Sequence, residues 1–414
     1  MEKHKTPLLI LSFLLTAFAS CNKSSVVPDK GKSLVLTAEE QQKVTADNVF
    51  SLKLFRKLDS ANTAGVNLFA SPLSVSFAIG MTSNGSSGAT LDAIRNAMDF
   101  TAFTQAQVNS YYNKIITQLP QLDPANTTLS IANSIWYRQD FSVLPQFLQT
   151  NTSYYNAKVQ ALDFNSPASV NTINNWVSSA TKGKIPTIVD QLVPNDMMYL
   201  INAIYFKSSW NMKFNIANTR LDSFYLGDNS TVQASFMNGT VNFNYSTDGT
   251  VAVFELPYVN SRFSMVIVMP IKSTTSLNTV ISGLTPDKWA ALTASMEQFN
   301  GQFKMPKFKF GYSILLNNAL SDLGMGNAFS DNADFSLINA TAHLQISKVQ
   351  HKAVVEVNED GTTAAAVTSV SIIATATAQP NAVIDHPFIF AIREKSSGLI
   401  LFTGRVNNPL LAGD

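Results

Sequence analysis

From Thr362 to Gln379 the chain reads Thr-Thr-Ala-Ala-Ala-Val-Thr-Ser-Val-Ser-Ile-Ile-Ala-Thr-Ala-Thr-Ala-Gln, with no charge, no aromatic ring and no proline. Small and β-branched residues of this kind favour an extended strand, and such a strand left unpaired invites edge-to-edge association. A chain that keeps it must give it a sheet to join or a partner to meet. In a strand, Thr362, Ala364, Ala366, Thr368, Val370 and Ile372 would share one face, and Thr363, Ala365, Val367, Ser369, Ser371 and Ile373 the other. Neither face resists burial, and the first begins small and becomes aliphatic.

The amino terminus indicates export. Lys3 and Lys5 precede an apolar run, Leu8 to Phe18, too short to cross a bilayer as a helix and of the length of a signal-peptide core. It ends at Cys21, the single cysteine of the chain, so no internal disulfide can form. Phe18-Ala19-Ser20-Cys21 resembles a bacterial lipobox, with phenylalanine where leucine is usual; it predicts a signal peptide over 1–20 and lipidation of Cys21. The alternative, a plain secretory signal, leaves an exported protein with one unpaired thiol. Residues 21–36 are polar and small and suit a tether. The expected location is the cell envelope, at the outer membrane or cell surface.

The chain as a whole is 45% hydrophobic and balances 29 basic against 28 acidic residues, which gives no field for nucleic acid, and the remainder shows no internal repeat. Thr37-Ala38-Glu39-Glu40 has the form of a capping box opening a helix with Val44, Leu52, Phe55 and Leu58 on one face. Ile173, Trp176, Val177 and Ala180 repeat that periodicity before Gly183. Strands are expected over Met198 to Phe206, Val251 to Leu256, Phe263 to Met269, Leu344 to Val357 and Phe388 to Ile392, and Lys304, Lys307 and Lys309 alternate with Phe303, Phe308 and Phe310 as on a half-buried strand. Helices and strands mix without βα alternation, so the class is α+β.

Catalytic constellations are scarce. Of four histidines, His4 lies in the signal, and His343, His351 and His386 have no metal-ligand spacing. There is no GxSxG elbow and no Walker loop, and Gly324-Met325-Gly326 lacks the third glycine of a dinucleotide fingerprint. The chain does not read as an enzyme, and no cofactor is expected.

A resemblance covers nearly all of the mature chain. Asn67-Leu68-Phe69-Ala70-Ser71-Pro72-Leu73-Ser74-Val75-Ser76 looks like the opening of the serpin core. Thr181-Lys182-Gly183-Lys184-Ile185, Asn202-Ala203-Ile204-Tyr205-Phe206-Lys207, Leu256-Pro257-Tyr258, Met305-Pro306-Lys307-Phe308-Lys309, His351-Lys352-Ala353, Glu359-Asp360-Gly361-Thr362, His386-Pro387-Phe388 and Leu401 to Pro409 follow in serpin order. The resemblance implies one domain over 37–411 with three β-sheets, eight or nine helices and an exposed reactive loop at about 361–380. A serine or cysteine protease cuts that loop, and the loop inserts into the large sheet before the acyl-enzyme hydrolyses, trapping the protease.

Residue by residue, the resemblance assigns a hinge to Gly361, Thr362, Thr363, Ala364, Ala365 and Ala366. It assigns a polar shutter to Ser71, Ser74, Asn202 and His351, and a breach, where insertion starts, to Trp210, Lys307 and Glu359. Ser209 stands where the family commonly has glycine. Counting from the hinge glycine places the cut after Thr375; counting back from Pro387 places it after Ala376. Either residue suits the shallow primary pocket of an elastase- or subtilisin-like protease, whereas an Asp-based pocket would want Lys or Arg. The expected partners are such proteases and, through the lipid, a membrane, with the chain a monomer. A non-inhibitory serpin, a carrier or adhesion module, would share the framework; its usual mark is a bulky or charged hinge, unlike Thr362 to Ala366.

Overall fold

Thr37 opens the first helix, α1 (Ala38–Ala61), through a complete capping box: its hydroxyl accepts from Glu40 N–H and the Glu40 carboxylate accepts from Thr37 N–H at 2.7 Å. Val44, Leu52, Phe55 and Leu58 are buried on its inner face, as the periodicity requires. The computed structural model describes residues 32–62, 65–272, 275–362, 380 and 382–413, which fall in one compact unit. Eight more helices follow among them: α2 (Pro72–Ser83), α3 (Gly88–Ala97), α4 (Gln105–Gln118), α5 (Pro145–Tyr155), α6 (Pro167–Ala180), α7 (Leu277–Gly283), α8 (Pro286–Ala294) and α9 (Asn317–Leu320). None is long and apolar enough to cross a membrane.

The strands are β1 (Leu68–Ala70), β2 (Thr127–Arg138), β3 (Lys158–Leu162), β4 (Met198–Ser209), β5 (Arg220–Tyr225), β6 (Thr231–Thr247), β7 (Val251–Pro257), β8 (Phe263–Pro270), β9 (Glu297–Pro306), β10 (Phe308–Leu315), β11 (Gln350–Asn358), β12 (Gly361–Thr362), β13 (Ala382–Val383), β14 (Phe388–Glu394) and β15 (Ile400–Val406). Six form one sheet in the order β10-β11-β12-β4-β2-β3. The rest form a nine-stranded sheet, β1-β15-β14-β8-β7-β6-β9-β13, with β5 also paired to β6. The long β6 runs through both halves of this sheet, pairing with β5 over residues 231–236, with β9 over 236–245 and with β7 over 244–247, so two of the expected sheets are continuous.

Strand β11 is shorter at its start than the apolar pattern from Leu344 suggests. Leu315, the last residue of β10, pairs with Gln350, and the chain then turns into α9, leaving no strand for residues 344–349 to join. Asn317 takes that place: its side chain donates to Ser347 O and accepts from Val349 N–H, each at 2.8 Å. Lys304, Lys307 and Lys309 take the wet side of β9 and β10 while Phe303, Phe308 and Phe310 are buried.

The main core lies between the two sheets, where Phe69 stacks on Phe402 and Phe390 with centroids 5.2 and 5.7 Å away. Helix α2 is buried on almost every side behind the six-stranded sheet, which explains its all-round apolar sequence. A second cluster, including Ile173 and Val177 of α6, packs on Trp136 of β2 and Ile201 and Ala203 of β4, with Val354 of β11 against it.

Candidate functional site

Strand β12 covers two described residues, and among the described residues it alone lies between β11 and β4. Gly361 pairs with Asn358 and Ser209, and Thr362 with Val357 and Ser208, antiparallel to both neighbours. Among the described residues no other backbone pairing joins β4 to β11. Among the described residues, the facing edges of these two parallel strands therefore border a slot that only β12 enters, at one end.

The head of the slot is built around Thr362, 3% exposed, whose hydroxyl lies 2.7 Å from the Tyr258 phenol oxygen. Tyr258 stacks face to face on Trp210 at 4.8 Å, and Trp210 Nε1–H donates to Asn358 O at 2.9 Å. Burial raises the Tyr258 phenol, although the Thr362 contact opposes this, so the ring stays neutral. Gly361 has φ +145°, and a Cβ there would lie 2.2 Å from Ser208 O. Only glycine fits between the two backbones at that point.

Glu359, one turn earlier, meets Lys307 Nζ at 2.9 Å and accepts from the Thr219 hydroxyl at 2.7 Å. Burial alone would raise its carboxyl, but the Thr219 hydroxyl and the Lys307 ammonium hold it below the usual carboxylate range. Trp210, Lys307 and Glu359 are thus brought together with Thr362. Serine at 209, where the family commonly has glycine, keeps its place in the ladder opposite Gly361.

The predicted shutter residues also converge, halfway down the slot. Ser71 is the N-cap of α2, with Pro72 in the first turn. Its N–H donates to His351 Nε2 at 3.1 Å and its hydroxyl to Leu401 O at 2.7 Å. The Ser74 hydroxyl donates to Asn202 Oδ1, and Asn202 Nδ2 donates to Asn133 Oδ1 at 2.6 Å. Because Nε2 accepts, the ring proton of His351 is on Nδ1. Burial pushes this imidazole down to about 4. Asn133 was not a candidate from sequence. Nothing in the pattern of β2 marks it, and only its register opposite Asn202 reveals it.

The other end of the reactive segment is anchored too. Ala382 and Val383 form β13, parallel to Phe303 and Lys304 of β9. Ile384 N–H donates to Lys304 O and Tyr225 N–H to Asp385 O, both at 2.8 Å. Thr363, Ala364, Ala365, Ala366, the candidate reactive residues Thr375 and Ala376, and the lipidation candidate Cys21 lie outside the described residues. Among the described residues no group of His, Cys, Asp and Glu could hold a metal ion.

Comparison with known proteins places this arrangement. The family described as "Serpin (serine protease inhibitor)" matches residues 45–409. The leukocyte elastase inhibitor of Xenopus tropicalis is 34% identical over 370 residues, covering 87% of this chain and 97% of its own. The thermophilic serpin tengpin has been solved in two states: native, with TM-score 0.79 and 33% identity over 91% of this chain and 96% of tengpin, and latent, with TM-score 0.76 and 31% identity over 92% and 100%. Human thyroxine-binding globulin, solved with its hormone, superimposes with TM-score 0.81 and 27% identity, covering 90% of this chain and all of that one.

Proposed function

The chain belongs to the serpin family, and from that premise we propose that it is an irreversible suicide-substrate inhibitor of serine endopeptidases, with cysteine endopeptidases as further targets. It is a trap and not an enzyme. The observation that carries this reading is β12, already seated at the head of a slot that continues between β4 and β11.

The register of β12 fixes where the rest of the segment would go on insertion. Six residues beyond Thr362, the neighbours step from Ser208 to Asn202 and from Val357 to His351, so Thr368 would arrive between Asn202 and His351. Four more bring Ile372 opposite Met198, the first residue of β4. Thr362 faces inward to Tyr258, so by strand alternation Ala364, Ala366, Thr368, Val370 and Ile372 would face inward as well. Thr368 would offer its hydroxyl to the shutter while small and aliphatic groups fill the remainder.

The small residues at Thr375 and Ala376, together with a relative named for elastase inhibition, point to an elastase- or subtilisin-like target. The same reading has residues 37–411 as the inhibitory domain, exported and held at the cell envelope by a lipid on Cys21. The test is to mix the protein with an elastase and run a denaturing gel. A protease-sized upward shift is expected; cleavage of the segment with no covalent band would instead mark a non-inhibitory member.

A further inference from the structure

The outer face of α1 carries Lys53, Arg56, Lys57 and Ser60, at the i, i+3, i+4, i+7 spacing that stacks side chains along one side of a helix. Phe55 and Leu58 turn the other way and are buried in the core. The polar stripe forms one wall of an open pocket of about 640 Å³, and Asn278, Ile281 and Ser282 of α7, with Leu323 just after α9, form the other. None of these residues belongs to the slot, to the shutter or to the anchor at β13.

The charges around this pocket do not cancel. Lys53 Nζ meets Asp99 Oδ2 at 2.7 Å, and Lys57 Nζ meets Asp322 Oδ2 at 3.2 Å. Asp59, the one carboxylate among the described lining residues, is bonded to Arg405 Nη1 at 2.5 Å. The Arg56 guanidinium is left over: its side chain is half-buried and, among the described residues, has no hydrogen-bond or ion-pair partner. Its planar fork of N–H donors fits two oxygens of a single anionic group.

The neighbours say which anion. The Asp322 carboxylate is 59% exposed, and an ion pair that open is worth little, so Lys57 can turn from it to an incoming ligand at small cost. Arg56 and Lys57 then offer two cations to one group, which suits the dianion of a phosphate monoester better than a carboxylate. Ser60 and Ser282 spend their hydroxyl protons on Lys57 O and Thr279 O and keep lone pairs for ligand hydroxyls, and the Asn278 amide stands exposed beside them. Asp99 and Asp322 interrupt the cationic stripe on either side, so it does not suit a long run of like charges.

We propose that this pocket binds a small phosphorylated polyol, with Arg56 gripping the phosphate and Lys57 completing the charge. The proposal does not rest on the inhibitor reading, and its test needs no protease. Titration calorimetry on the full chain at low salt uses glucose 6-phosphate as the probe, with glucose and inorganic phosphate run separately. One saturable site is expected for glucose 6-phosphate, weaker binding for inorganic phosphate and none for glucose. Arg56→Gln should weaken the sugar phosphate about tenfold, and Arg56→Lys severalfold, because an ammonium keeps the charge and loses the fork. Lys158→Gln, on the exposed strand β3, should bind like wild type. Melting curves show that each variant is folded, and Arg56→Lys carries the test should Arg56→Gln not fold.

No saturable binding of glucose 6-phosphate up to about 10 mM, a limit that already admits very weak sites, overturns the proposal. Equal binding by wild type and the Arg56 variants overturns it as well. Binding of a long sulfated polysaccharide with none of the sugar phosphate would replace it with a general cationic surface. Inorganic phosphate bound as tightly as the sugar phosphate would overturn the choice of a polyol.

Discussion

Thr362→Arg should convert the inhibitor into a substrate. In the structure Thr362 is already inside the sheet, flanked by the backbones of Ser208 and Val357 and bonded to Tyr258, which is itself covered by Trp210. Among the described residues no carboxylate is bonded to that pair: Glu359 is held by Lys307 and Thr219, and Asp360 by Lys213. A guanidinium there loses the Tyr258 contact, worth about 1 kcal/mol, and sits buried and unpaired at a further cost of about 3 kcal/mol. The uncut variant therefore keeps residue 362 out of the sheet, so that insertion has to bury it, and even the second term alone then slows insertion by roughly a hundredfold. Hydrolysis of the acyl-enzyme does not involve Thr362, so the ratio of cleaved to trapped inhibitor rises by the same factor. The assay is a titration of elastase with increasing inhibitor, reading residual activity and the covalent band together. Thr362→Val is the control: it fills the same space, loses only the hydroxyl, and should still trap with a severalfold change at most. A Thr362→Arg protein with wild-type stoichiometry would refute the reasoning.

Gly361→Ala should destabilise the native fold by about 2 kcal/mol in a denaturant melt, from the φ of +145° and the clash with Ser208 O. Mass spectrometry of the fragment released on inhibition should place the cut within residues 373–377, and a cut elsewhere removes the assignment to Thr375 or Ala376. His351 should make the protein acid-labile. Its folded value of about 4 lies below the ordinary 6.5, so its contribution is fully present above pH 6.5 and is lost as pH falls through about 4. The loss is about 3 kcal/mol, and His351→Gln should show a shallower decline over the same window. Cys21→Ser should move the protein from the membrane fraction to the soluble one, as fractionation of expressing cells would report.

The breach and the shutter were legible because their chemistry is local to short motifs. Trp210, Lys307 and Glu359 each stand beside a turn or strand end that carries them to the same point. Helix α1 was equally readable, since its capping box and its apolar face both lie within one segment. What sequence could not supply is register. Asn133 matters only because β2 pairs with β4 so that it falls opposite Asn202, a fact about two strands far apart in the chain. The early limit of β11 has the same origin: residues 344–349 have strand-like composition, but Asn317 occupies the position of their partner.

The shutter also explains how a sheet can be both secure and able to part. Ser71 and Ser74 both belong to the first turn of α2, three residues apart. Ser71 holds His351 of β11, and Ser74 holds Asn202 of β4. Each of these two strands is therefore bonded to the helix beneath, and among the described residues no side-chain bond in the cluster runs from β4 to β11. Parting β4 from β11 therefore meets bonds to the helix and breaks no direct bond between these two strands in the cluster. A direct Asn202–His351 bond would do the opposite, since every insertion would have to break it. The arriving Thr368 hydroxyl instead finds a neutral imidazole on one side and an amide on the other. Entry there would bring that hydroxyl within reach of polar partners on both sides.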